Sequence, residues 1–185
     1  IFSIYLSVIS TIGTIANLKY SFAIPLPKND KDGVNLFNLS VINSLLISLV
    51  ILALCILFQE NVLNAFDIEY IKYSEAYIFI GVFIIGVVES LNYLAVRMEN
   101  FKRIAMSKLN QGISYSVIQL GYGFFWSGPV GLLLGDVVAR MVSAITLYTK
   151  KINTGNLDFS SIKDVAYKYK NFPKYSSLSG FLNGF

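Results

Sequence analysis

The chain contains no histidine and one cysteine, Cys55, in 185 residues. Their absence excludes zinc sites built on His or Cys, Ser-His and Cys-His catalysis, haem ligation and internal disulfides. Charge is also scarce. Asp, Glu, Lys and Arg together make up 14% of the chain, where a soluble domain carries about 25%. The length suits one domain, yet 55% of the residues are hydrophobic, more apolar surface than a soluble core of that size can hide. The class implied is an integral membrane protein.

The apolar residues come in long runs. A hydrocarbon layer of roughly 30 Å needs about 20 helical residues to cross it. Five runs fit, at 1–25 (securely to 17), 34–58, 73–96, 104–126 and 129–149, and a sixth starts at 172. The fold expected is therefore all-α, a polytopic membrane helix bundle forming one domain. The chain opens on Ile1 without a basic segment and cleavage site ahead of the first run, and its last run stops short. The expectation is a piece of a longer protein, with no signal peptide.

Basic residues fix the orientation. Lys19, Lys28 and Lys31, then Arg97 to Lys108, then Lys150 to Lys174 all fall at one set of run ends. The opposite ends hold Lys72 with Glu60, Asp67 and Glu69, and an uncharged turn at 126–129. Short basic loops stay in the cytoplasm, so loops 19–33, 97–108 and 150–174 are expected there. Residues 162–172 alternate apolar and Lys positions and are expected to lie in the cytoplasmic interface as an amphipathic helix. The net charge of +4 reads as topology signal and attraction to anionic membrane lipids. No motif points to nucleic acid. Aromatics near the run ends, such as Tyr20, Tyr73 and Trp126, read as interfacial belts.

Inside the runs, polar residues recur at helical spacing: Ser3, Ser7, Ser10 or Thr11, and Thr14; Ser40, Ser44 and Ser48; Ser107, Gln111 and Ser114. Two readings stand, close helix packing or the lining of a wet cavity. Gly131 and Gly135 form a small-xxx-small pair suited to packing. Buried charges are the sharper signal because an unpaired one is costly in a bilayer. Asp136 and Arg140 are four apart on one helix face, with Arg140 about 16 Å along from Pro129, near mid-bilayer. They form an internal ion pair, or Arg140 offers a cation to an anionic substrate. Glu89 has no partner in its own helix. It meets a basic residue from a neighbour, or it takes up a proton in a transport cycle. No two carboxylates share a helix at catalytic spacing, and no cofactor or metal site is indicated.

Three stretches carry a resemblance: YSFAIPLPKNDKD at 20–32 followed by VNLFNLS at 34–40; NYLAVRMENFKRIAMS at 92–107; and YKNFPKYS at 169–176 followed by SGFLN at 179–183. In order and spacing they resemble the cytoplasmic-side loops of bacterial polysaccharide biosynthesis proteins. These are the O-antigen and capsule flippases of the Wzx type, in the multidrug/oligosaccharidyl-lipid/polysaccharide exporter superfamily. Ser177-Leu178 departs from the Leu-Pro common in that family. The resemblance implies part of a twelve- to fourteen-helix exporter fold, from about its second helix into its seventh. It also implies a multi-pass protein of the bacterial cytoplasmic membrane that flips an undecaprenyl-pyrophosphate-linked oligosaccharide outward, beside a polymerase and a chain-length regulator.

From charge and burial, Arg140, Arg97, Lys102 and Arg103 are the expected phosphate-binding cations. Glu89 and Asp136 are the expected sites of proton or Na⁺ coupling. Two alternatives are an ion-coupled drug exporter of the same superfamily and an O-antigen polymerase. The short loops on the acidic side argue against the polymerase.

Overall fold

A computed structural model describes residues 2–58, 74–125, 130–148 and 159–176. Among these residues the chain is helical and contains no strand, as the apolar runs require. The expected turn at 126–129, the loops at 59–73 and 149–158, and the 179–183 stretch lie outside the described residues.

Helix α1 (Phe2–Gly13) is 12 residues long, about 18 Å. It ends sooner than the apolar run does. After Gly13 the backbone makes turns through residue 19, where Leu18 (φ 50°) and Lys19 (φ 58°) are left-handed, and a 3-10 turn follows at Tyr20–Ala23. The expected helix over 1–25 is therefore interrupted. The apolar pattern signals an end only at Asn17 and Lys19, a few residues past the observed break.

Helix α2 (Asp30–Leu57) starts at an Asn29 cap, whose Oδ1 accepts from the Lys31 N–H at 3.1 Å. Asp30 and Asp32 in its first turn oppose the positive helix end. Helix α3 (Ser74–Arg97) closes in a Schellman-type turn. There the Asn100 N–H donates to Ala95 O at 2.9 Å and Glu99 takes the left-handed position (φ 54°). Asn100 also accepts from the Arg103 N–H to open α4 (Phe101–Phe125). Helix α5 (Val130–Leu147), helix α6 (Phe159–Lys168) and a π turn at Phe172–Ser176 complete the described chain.

Three helices, α2, α3 and α5, are long and apolar enough to cross a membrane. Helix α4 has the length, 25 residues, but three bases in its first two turns and the Asn110-Gln111 pair dilute its apolar character. Helix α3 is central and packs against α1, α2 and α5; α4 and α5 form a second close pair. Two apolar clusters hold the bundle. One joins Tyr20, Ile24, Leu36, Leu94, Leu147 and Val165 at the basic end. The other joins Tyr5, Ile9, Val82 and Leu133 farther along.

Polar groups are buried beside the apolar clusters, and much of the outer surface is apolar. Ser40, Ser44, Ser48, Ser90, Ser107 and Ser143 are fully buried, as is Asn17, and Asp136 nearly so. Outward, α4 presents Met106, Leu109, Ile113, Val117, Leu120 and Phe124, the last 85% exposed. Their spacing of three and four makes one continuous apolar stripe. The distal half of α2 does likewise with Leu46, Val50, Leu54 and Leu57. A patch of that extent is a liability in water and the normal exterior in lipid.

The buried serine stripe of α2 is a packing surface. Ser44 lies directly against Gly86 of α3, where no Cβ could fit, and its Oγ donates back to Ser40 O at 2.8 Å. Gly131 and Gly135 act in the same way, closing on Tyr122 and Gln119 of α4. By contrast Ser3, Ser7 and Ser10 are exposed, with Ser7 and Ser10 bonding to their own helix's carbonyls.

Candidate functional site

Two buried charge clusters stand out. The first is assembled by the break after α1. Because the chain turns inward at 14–19 instead of continuing as helix, Asn17, Lys19 and Ser21 all reach Glu89 of α3. Asn17 Nδ2 donates to Glu89 Oε2 at 3.1 Å and Ser21 Oγ to Oε1 at 3.4 Å. Lys19 Nζ lies 3.8 Å from Oε1 and 4.7 Å above the Phe22 ring, which in turn packs on Tyr93 at 5.0 Å. Asn17 Oδ1 accepts from the Lys19 N–H at 3.0 Å, which pins the left-handed residue. Lys19 therefore serves as an interior cation, whereas its position among the basic loop residues suggested a surface charge. The partner sought for Glu89 is this lysine.

The second cluster is on α5. Arg140 Nε donates to Asp136 Oδ2 at 2.8 Å, with side-chain exposures of 22% and 8%. Tyr5 of α1 interacts electrostatically with both. Of the five guanidinium N–H groups, the other four have no hydrogen-bond partner among the described residues. Arg140 sits ten residues into an 18-residue helix, close to its middle. The Asp136 carboxylate balances the charge of Arg140, but the open N–H donors of the guanidinium remain able to bond oxygen atoms of an anion from outside the chain.

The remaining expected cations do different things. Arg97 closes the turn before α2: Nη1 donates to Ile24 O at 3.0 Å and Pro27 O at 2.7 Å, and Nη2 to Asp30 Oδ1 at 2.9 Å. Gly33 leaves the space it occupies. Three of its N–H groups are thereby committed to the protein. Arg103 ties the start of α4 to the end of α5 through Tyr148 O at 2.7 Å. Lys102 is exposed. Tyr148 lies eight residues beyond Arg140, so Arg103 is anchored about 12 Å along α5 from it. These four cations thus mark a rim and an interior position, not one converged site.

Sequence reasoning missed Asn17, Lys19 and Ser21 as partners of Glu89. The available signal was Glu89 itself, which needs a cation from elsewhere. Among the described residues, no group of three or more acidic or cysteine side chains is placed to hold a metal ion. Comparison with protein-family models, with curated proteins and with solved structures finds no match.

Proposed function

We propose that the chain is part of a bacterial cytoplasmic-membrane transporter that flips an undecaprenyl-pyrophosphate-linked oligosaccharide from the inner to the outer leaflet, for O-antigen, capsule or exopolysaccharide synthesis. The observation that carries the reading is Arg140: a cation at mid-helix, held by Asp136 through one N–H group, inside a bundle whose exterior is apolar. The loop resemblance supplies the substrate class. Such a substrate needs cations and hydroxyls for its pyrophosphate and sugars while its lipid tail stays in hydrocarbon. No bond is broken, and the protein acts as a transporter rather than an enzyme.

In this reading Lys102, exposed at the basic end, attracts the pyrophosphate first. Arg97 and Arg103 shape that rim while holding its loops. Arg140 receives the phosphate oxygens deeper in, where charge-assisted bonds are strongest for lack of competing water. Glu89 and Asp136 are the carboxylates available for coupling to protons or Na⁺. The polymerase and chain-length regulator of the same pathway take the product on the outer face.

Arg140→Gln and Arg140→Lys in the full-length gene test this. Gln keeps a polar side chain but no charge; Lys keeps the charge but loses the planar fork. At matched protein level, surface polymer falls at least tenfold with Gln and is partly retained with Lys. Unchanged export in both variants removes Arg140 from the site.

A further inference from the structure

Residues 162–172 are expected as an amphipathic helix in the cytoplasmic interface; the helix found, α6 at Phe159–Lys168, turns its apolar face into the bundle. Ile162 and Val165 are buried, with Val165 in the core cluster at the basic end. Tyr20 Oη donates to Ala166 O at 3.2 Å, and Lys168 Nζ reaches Asp32 Oδ2 at 3.4 Å. The helix is thus docked on α2 and the turn after α1, and its opposite face is the one left free.

That opposite face has a definite chemistry. Phe159, Lys163 and Tyr167 follow at intervals of four and therefore line one side of α6. Lys170, in the turn beyond, places its Nζ 4.0 Å over the Tyr167 ring. Phe159 and Tyr167 are each 72% exposed. Among the described residues neither Lys163 nor Lys170 forms an ion pair. Asp164 is also exposed, beside Lys163, so the free side carries two unpaired ammonium groups against one carboxylate, interleaved with aromatic rings, a composition that suits the headgroup level of a bilayer. The face also sits at the end of the bundle where the basic residues gather, which complements an anionic leaflet.

We propose that the Phe159–Lys163–Tyr167–Lys170 face of α6 is a docking surface for anionic phospholipid headgroups. The rings enter the interfacial layer and the two lysines bind lipid phosphates. This anchors α6, and through its bonds to Asp32 and Tyr20 also the start of α2 and the turn after α1, at a fixed depth. The inference rests on the membrane setting of the bundle and not on its substrate.

The test uses the full chain in vesicles. Trp126 is the sole tryptophan, so Trp126→Phe with Tyr167→Trp gives a single reporter on this face, and Trp preserves the stacking of Lys170. Vesicles mix phosphatidylcholine and phosphatidylglycerol, with brominated acyl chains on one or the other at equal mole fraction. Brominated phosphatidylglycerol should quench the reporter more strongly, reflecting a local enrichment of about fivefold for each lysine. Lys163→Gln with Lys170→Gln should make the two lipids equal. Equal quenching before that change, or a difference that survives it, overturns the proposal. So does quenching by aqueous iodide and by neither lipid, the result expected of a face turned to water or to another protein. None of these outcomes bears on export, so transport and lipid docking fail separately.

Discussion

At the level of single residues, small side chains and fixed hydrogen bonds bring the helices together beside the apolar clusters. Gly86 shows this most sharply, because Ser44 occupies the place its Cβ would need. Gly86→Ala should destabilise the protein by about 1–3 kcal/mol through overpacking. Adding Ser44→Gly should recover most of that loss, a coupling that a double-mutant cycle of melting temperatures in detergent detects. Simple additivity would show that the two helices do not meet there. The serine spacing of α2 was plain in the sequence, but whether it faced protein, water or lipid was not. That depends on where α3 lies, which the spacing of one helix cannot encode. The same holds for Arg97, which looked like a free cation at the rim. Its commitment to the carbonyls of Ile24 and Pro27 follows from how the loop folds back.

Among the elements, the positions of the long helices were legible because apolar runs of this length have few other uses. Helices α2, α3 and α5 lie close to where the runs placed them. An end to the run near Asn17 and Lys19 was legible, but the inward turn that begins right after Gly13 was not. It is made by tertiary partners, chiefly the bonds of Asn17 and Ser21 to Glu89, about seventy positions away in the chain. The Lys19–Glu89 pair also explains why a lysine can occupy a buried left-handed position. Removing one partner leaves the other unpaired, so Glu89→Gln should cost about 3 kcal/mol, the low end for buried pairs since both side chains keep some exposure. Glu89→Gln combined with Lys19→Gln should cost clearly less than Glu89→Gln alone. Unfolding followed by thermal denaturation in detergent reads the difference. A double variant no more stable than the single one would mean that the pair is not held together in the folded protein. If Glu89 is also a coupling group, export stays low in the double variant despite its recovered stability.

For the molecule as a whole, the decisive property is the apolar exterior of α2 and α4 around an interior that buries serines and two ion pairs beside its apolar clusters. Composition announced the membrane; only the packing shows that the outward faces are the apolar ones. The orientation proposed from the basic ends can be checked with cysteine labelling, since Cys55 is the sole thiol. In a Cys55→Ser background, Lys31→Cys, Lys102→Cys and Lys163→Cys should all react with an impermeant maleimide only from the cytoplasmic side. A label entering from opposite sides at any two of them would break the positive-inside assignment. The transport reading itself turns on one measurement: delete the full-length gene and determine which leaflet holds the lipid-linked oligosaccharide. Complete repeat units should accumulate on the cytoplasmic leaflet, with surface polymer lost. An unchanged lipid pool, or single repeat units already on the outer face, would contradict it.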